Sequence, residues 1–141
     1  MKTRLAYSLS IAIAGLCACS DKIANRIEGQ WQLKTIESNG IISQVDTVFY
    51  NFMGGRVFAY IALVNPSEGA SCFGYVDELS DQQILINIDL GGDSLHFHHI
   101  RALSEGDWDA TRRIFDIQDI DGKYLTLHSH DNNKTYSFKK H

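Results

Sequence analysis

Six histidines are the residues whose spacing first suggests chemistry in this 141-residue chain. His96-Phe-His98 and His128-Ser-His130 both place two histidines at i and i+2, and on a β-strand that spacing puts each pair on one face. Two facing pairs would offer four imidazoles to a tetrahedral zinc ion. The pairs alternate with apolar residues such as Phe97 and Leu127. We therefore expect the histidines to face solvent and to bind no metal.

A second reactive group is the thiol of Cys19, at the end of an apolar N-terminal segment. Met1-Lys-Thr-Arg4 carries two positive charges, and residues 5–16 are apolar apart from two serines. A charged start, a short apolar run and small residues before a cleavage point are the parts of a secretory signal peptide. The run of about 12 residues is too short to cross a bilayer, which requires about 20. We expect this segment to direct export and then to be removed.

The residues Leu16-Cys17-Ala18-Cys19 resemble the lipobox of bacterial lipoproteins. Leu16, Ala18 and Cys19 stand at the −3, −1 and +1 positions of that motif, and Cys17 fills −2, where the class usually has another small residue. The resemblance implies cleavage before Cys19 and acylation of its sulfur, with palmitate among the chains. It divides the chain into a signal peptide (1–18), a lipidated tether (19–26) and a folded domain (27–141).

The residues after Cys19 bear on which membrane holds the anchor. In lipoproteins an Asp directly after the acylated Cys favours retention in the inner membrane, whereas here Ser20 takes that place and Asp21 follows it. The resemblance implies the outer membrane of a Gram-negative bacterium. Its periplasmic side and its outer surface both remain open.

Charge and cysteine content limit the partners of the mature chain. Loss of residues 1–18 removes Lys2 and Arg4 and leaves a net charge of about −6, whereas nucleic-acid binding depends on basic contacts to phosphate. We therefore expect no nucleic acid to bind. With Cys19 acylated, Cys72 has no intramolecular partner, which leaves a buried thiol or an intermolecular disulfide. The apolar segment around Cys72 favours burial.

Acidic side chains are the remaining candidates for catalysis. The carboxylates that stand out fall at the ends or outer faces of predicted strands: Asp77, Glu78, Asp116, Asp119 and Asp121. The chain has no nucleophile elbow, phosphate-binding loop or His-Glu-x-x-His motif, although a triad assembled in space needs no local motif. We expect no catalytic residue, no cofactor and no enzymatic activity.

In the segments that would position these residues, the sequence pattern has the two-residue period of a β-strand almost throughout. Residues 103–111 are predicted to be irregular or briefly helical, and Asp121-Gly122 is a hairpin signal. The chain is therefore predicted to be all-β, an antiparallel up-and-down barrel of about eight strands with at most a short helix, since closure removes exposed edges. A sandwich is the alternative. Residues 57–64 are apolar on both faces, as in a central strand. The other predicted strand segments are 27–35, 48–52, 72–76, 84–89, 95–97, 115–117, 125–127 and 136–138.

The two ends of the predicted domain resemble those of a lipocalin. The first strand contains Gly29-Gln30-Trp31, and the last reads Tyr136-Ser-Phe138-Lys139-Lys140. Small lipocalin-like lipoproteins of Gram-negative bacteria share this order of motifs. The resemblance implies that Trp31 plugs the closed end and that Lys139 or Lys140 stacks on it, depending on register. The domain is shorter than a usual lipocalin and lacks its C-terminal helix, which implies a small or filled cavity.

Two functions follow from this resemblance. In the first, the anchored barrel binds a small hydrophobic ligand in a cavity lined by aromatic side chains, with Trp108 as a cap or as a lid that fills it. In the second, the barrel is filled and the protein is an accessory or interaction protein of the cell envelope, with an exposed apolar patch for a partner. The candidate ligand-binding residues are Trp31, Tyr50, Phe58, Tyr60 and Trp108.

Overall fold

The computed structural model describes residues 22–65, 68–90 and 96–141, which form nine strands and two short helices. The lipobox and the signal segment lie outside the described residues. The elements are α1 (Ile23–Ile27), β1 (Gly29–Ser38), β2 (Ile41–Gln44), β3 (Val48–Met53), β4 (Val57–Asn65), β5 (Glu68–Glu78), β6 (Gln83–Asp89), α2 (His96–Glu105), β7 (Arg112–Ile120), β8 (Tyr124–Ser129) and β9 (Lys134–Lys140).

The strands form one antiparallel sheet that closes on itself through β1 and β9. Both β2 and β3 pair with β1, with Gln44 opposite Thr35 and Phe49 opposite Gln32. They are therefore two halves of one strand, interrupted at residues 45–47. The result is a closed antiparallel barrel of eight strands, and the predicted fold class is confirmed.

The two ends of the barrel are closed by different elements. The first, called the closed end below, carries the start of β1, the end of β9 and helix α1. The second, called the open end, carries α2 and the start of β7. At the open end β2 continues the hairpin beyond the barrel, and all four of its residues are exposed.

Alternation of apolar and polar residues produces the core as predicted. On β6, Ile84, Ile86 and Ile88 are buried, whereas Asn87 and Asp89 between and beyond them are exposed. Successive side chains of a strand point to opposite faces, so the isoleucines fill the interior of the barrel. Strand β4 is apolar on both faces, and its outer face is considered below.

Helix α1 shortens the tether that the sequence suggested. Residues 19–26 were expected to be a polar linker, but Ile23 and Ile27 lie one helical turn apart and are only 3% and 2% exposed. The backbone N–H of Ala24 donates to Glu78 Oε1 at 2.7 Å, which fixes the helix to the β5–β6 turn. Residues 23–26 of the expected tether therefore belong to the folded domain, because burial of the two isoleucines stabilises the helix against the barrel.

Helix α2 replaces the strand expected around residues 95–97. Leu95 lies outside the described residues, and Phe97 lies in α2. The prediction of a strand here is wrong because two alternating apolar residues do not distinguish the two periods. The spacing of Phe97, Ile100 and Leu103 is the helical signal. Neither α1 nor α2, the helices among the described residues, is long enough to span a membrane.

The packing of α1 leads to a prediction about stability. Replacement Ile27→Ala should lower the free energy of unfolding by about 2–4 kcal/mol, because it removes buried methyl groups and leaves a cavity. The matched control is Ile41→Ala at a side chain that is 72% exposed, where a change within about 0.5 kcal/mol is expected. Urea unfolding of both variants measures the difference. If Ile27→Ala lowered the free energy of unfolding no more than Ile41→Ala does, α1 would not contribute to the core.

Candidate functional site

The closed end is built around Trp31, which is fully buried. Its indole Nε1–H donates to the carbonyl of Ile27 at 2.8 Å, so the last turn of α1 lies directly over the ring. The Nζ of Lys140 lies 4.5 Å from the ring centroid and also donates to the carbonyl of Glu28. Trp31 therefore plugs this end of the barrel and does not line an accessible pocket.

Register assigns the stacking cation to Lys140 and not to Lys139. Lys140 is opposite Trp31 on β1, whereas Lys139 is opposite Gln32. Gly29 leaves room for this arrangement: its φ is +113°, and a Cβ there would lie 2.9 Å from both Cε and Nζ of Lys140. Any other residue at position 29 would be strained and would displace the lysine.

The interior holds the aromatic residues expected to bind a ligand, and they contact one another. Tyr50, Phe58 and Tyr60 are all fully buried. The ring centroid of Tyr50 lies 5.2 Å from that of Phe58 and 5.9 Å from that of Tyr60. It also lies 4.7 Å from that of Phe138 on β9, the strand on the other side of β1. These distances are those of packed aromatic pairs, so the side chains fill the space that a ligand would occupy.

Trp108 completes the filling of the barrel from the open end. It is 4% exposed, and its Nε1–H donates to the hydroxyl of Tyr50 at 2.6 Å. The hydroxyl of Tyr60 donates to the carbonyl of Ala102 at 2.5 Å, which fixes α2 over the same end. Burial raises the pKa of both tyrosines, so both hydroxyls remain protonated. Of the two roles considered for Trp108, the structure shows the lid that fills the interior.

A buried arginine beside Trp108 is the main feature that the sequence did not reveal. Arg113 is 1% exposed, and its guanidinium lies 4.8 Å from the Trp108 ring centroid. It donates to Tyr136 Oη at 2.9 Å and to Asp109 Oδ1 at 2.7 Å. Burial raises the pKa of Tyr136 to about 12. Arg113 follows Arg112 at the start of a strand and has no sequence mark that separates it from a surface residue.

The histidines do not assemble a metal site among the described residues. His96 and His98 lie in the helix α2 and not in a strand. The expectation that they share one face of a strand is therefore wrong. His128 lies on the outer face of β8, as expected, whereas His130 is in the turn that follows this strand. His130 pairs with Asp116, and no group of three or more metal-ligating side chains is found within the described ranges.

The carboxyl of Asp116 shows the electrostatic effect of this surface pair. A hydrogen bond from Gln83 lowers its pKa, and the hydrogen bond and charge of His130 act in the same direction. A depressed folded-state pKa stabilises the fold above the unfolded-state pKa, and this contribution is lost as the pH falls through the folded-state value. The pair is exposed, so its contribution is small.

The exposed apolar side chains among the described residues include two groups on the outer surface. On the β4–β5 wall, Phe73 is 57% and Tyr75 59% exposed, and at the tip of the β1–β2 hairpin Ile41 is 72% exposed. Cys72, on the inner face of β5, is part of the core, and burial raises the pKa of its thiol to about 11. The expectation that Cys72 is buried is confirmed.

A closed eight-stranded barrel, plugged at one end by the Trp31 side chain of its first strand, defines a protein of the lipocalin type. The sequence model of the lipocalin-like domain family matches residues 13–141, so the chain belongs to that family.

Two solved structures share this fold. A lipocalin-like protein from Bacteroides uniformis is 23% identical, with a TM-score of 0.66 over 82% of this chain and 99% of the other. An uncharacterized protein from Bacteroides eggerthii is 24% identical, with a TM-score of 0.63 over 81% and 98%. At this level of identity the likeness shows the fold alone. A search of curated proteins gives no match.

The contact between Lys140 and Trp31 leads to a second prediction. Lys140→Met should lower the free energy of unfolding by about 0.5–2 kcal/mol, the range of a cation–π contact, and should shift the Trp31 emission. Lys139→Met is the matched control, since its register position lies away from the ring, and it should change neither quantity. Urea unfolding followed by tryptophan fluorescence tests both. A loss on replacing Lys139 that equals the loss on replacing Lys140 would contradict the assigned register.

Proposed function

We propose that this chain is a lipid-anchored, non-enzymatic interaction protein of the outer membrane, with a lipocalin-like barrel that acts through its surface. The proposal rests on one observation, the mutual packing of Tyr50, Tyr60 and Trp108 in the interior. A carrier requires an internal space of several hundred cubic ångströms, and these side chains occupy it. The anchor is the acyl group on Cys19 after removal of residues 1–18.

The β1–β2 hairpin is the surface that best suits a protein partner. Ile41 and Ile42 are 72% and 60% exposed at its tip. Among the described residues, β2 pairs only with β1, so its other edge presents free backbone groups. An apolar edge strand accepts an extended segment of another chain by strand addition. The partner we propose is therefore an envelope protein that offers such a segment.

Site-specific photocrosslinking in cells tests this function. A photoreactive residue at Ser43, on β2, should give one discrete crosslinked species, and the same residue at Tyr124, exposed at the closed end, should not. The double variant Ile41→Ser/Ile42→Ser should abolish the Ser43 crosslink, because the partner loses its apolar contact. Equal crosslinking from both positions, or a crosslink that survives the double variant, would contradict the proposal. Mass spectrometry of the mature N-terminus tests acylation of Cys19 separately.

A second candidate function, binding of a small hydrophobic ligand, is favoured by the position of Trp108. This indole, held by its hydrogen bond to Tyr50, is the plug between the aromatic interior and the open end. A ligand that displaced it would meet Tyr50, Phe58 and Tyr60. Such a ligand would have to replace the contacts that Trp108 makes.

Replacement Trp108→Ala separates the two functions. It should open a cavity and lower the free energy of unfolding by about 3–5 kcal/mol. The variant should bind a fluorescent hydrophobic probe such as aminoanthracene, whereas the wild-type protein should not. Saturable binding by the wild-type protein, competed by envelope lipid extract, would favour the carrier function.

A further inference from the structure

An apolar stripe runs along the outside of the β4–β5 wall towards the closed end. It consists of Val57, Phe73, Tyr75 and Leu79, which are 40%, 57%, 59% and 46% exposed. Val57 and Tyr75 are directly opposite each other across the two strands, and Leu79 follows β5 at the start of the β5–β6 turn. Val57, Phe73 and Tyr75 line one shallow recess on this wall. Leu79 continues the stripe beyond the exposed Asp77, at the edge of the closed end.

The N-terminal segment enters the barrel at one end of this stripe. Lys22 and Ile23 line a recess together with Glu78 and Leu79. The hydrogen bond from Ala24 N to Glu78 Oε1 fixes the start of α1 there. The chain therefore enters α1 beside the β5–β6 turn and not at the centre of the closed end.

The distance from this point to the acylated cysteine is short. Three peptide units separate Lys22 from Cys19, and a fully extended chain covers at most about 3.6 Å per residue, or roughly 11 Å in all. Three residues therefore limit the reach of an anchor on Cys19 to about 11 Å from Lys22, which lines the same recess as Leu79. A bilayer that contains the acyl chains comes within reach of the wall that carries the stripe.

We propose that the stripe of Val57, Phe73, Tyr75 and Leu79 lies against the same bilayer that holds Cys19, so that the barrel rests on its β4–β5 wall. The inference deepens the proposed function and depends on the anchor assigned there. The wall formed by β9, four strands away around the barrel, then faces the aqueous phase. The surface in contact with the membrane is thus separate from the tip of the β1–β2 hairpin.

The chemistry of the stripe fits the interfacial region of a bilayer. Phe and Tyr side chains enter that region with an apolar ring, and Tyr keeps its hydroxyl at the level of the headgroups. Asp77 on β5 and Asp89 on the neighbouring strand β6 are exposed beside the stripe, so attraction to anionic lipid is not the driving force. We therefore expect the contact to form on zwitterionic lipid and to persist when the salt concentration is raised.

Depth measurement on the full-length acylated protein in phosphatidylcholine vesicles tests the orientation. A nitroxide label is attached at Asn87→Cys, next to Tyr75 in the register, and in a second sample at Ser137→Cys on β9. The label at position 87 should be accessible to oxygen and protected from a water-soluble nickel chelate. The label at position 137 should remain fully accessible to the chelate. The same protection is expected in high salt.

The double variant Phe73→Ser/Tyr75→Ser should restore access of the chelate to the label at position 87. Both side chains are exposed, so the fold should be retained, and circular dichroism checks this. Equal chelate access at positions 87 and 137 in the acylated protein would overturn the inference. Spin–spin broadening at position 87 would also overturn it and would assign the wall to a second copy of the chain. A protein that carries no acyl group at Cys19, seen by mass spectrometry, would instead refute the anchor itself.

Discussion

The pairing of β1 with β9 is the constraint on which the rest of the structure depends. It closes the sheet, and it places Lys140 opposite Trp31 at the point where the first and last strands meet. Because Gly29 has no side chain, the lysine can pass over the indole ring while α1 lies across the same end. Closure also removes the two exposed edges that the terminal strands would otherwise present, except where β2 extends beyond the barrel.

A small closed barrel leaves an interior that its own side chains can fill. Here Trp108 contacts both Tyr50 on β3 and Phe115 on β7, two strands that face each other across the barrel. Trp108 and Arg113 extend this packing to the open end. The guanidinium is tolerated without full solvation because it stacks on an aromatic ring and forms hydrogen bonds with Tyr136 and Asp109. The polar groups at this end thus hold the lid in place.

Because the protein's own side chains fill the interior, the surfaces that this barrel offers to other molecules are on its outside. The exposed apolar side chains of this barrel include two groups, Ile41 and Ile42 at the hairpin tip and Val57, Phe73 and Tyr75 on the β4–β5 wall. They lie in different parts of the molecule and differ in character. Among the described residues, the first group belongs to an edge strand with free backbone groups, and the second to a wall whose strands are paired on both sides.

The sequence by itself determined the fold class and the closing residues of the barrel. Alternation along β1, β6 and β8, the Asp121-Gly122 turn and the motifs at both ends are local signals, because a strand's faces and a turn's geometry depend on adjacent residues. The sequence did not predict the helix over His96–Glu105, because two apolar residues, Leu95 and Phe97, are too few to distinguish the period of a strand from that of a helix. The burial of α1 was missed because Ile23 and Ile27 are only two apolar residues in a polar stretch.

Tertiary structure alone decided whether the aromatic residues form a pocket or a core. The same sequence pattern around Tyr50, Phe58 and Tyr60 is compatible with both, because the outcome depends on distances across the barrel between residues far apart in the chain. The same holds for the choice of Lys140 over Lys139, which depends on the register between the first and last strands. The buried position of Arg113 likewise arises from the meeting of β7, β9 and the segment before β7, which no local pattern encodes.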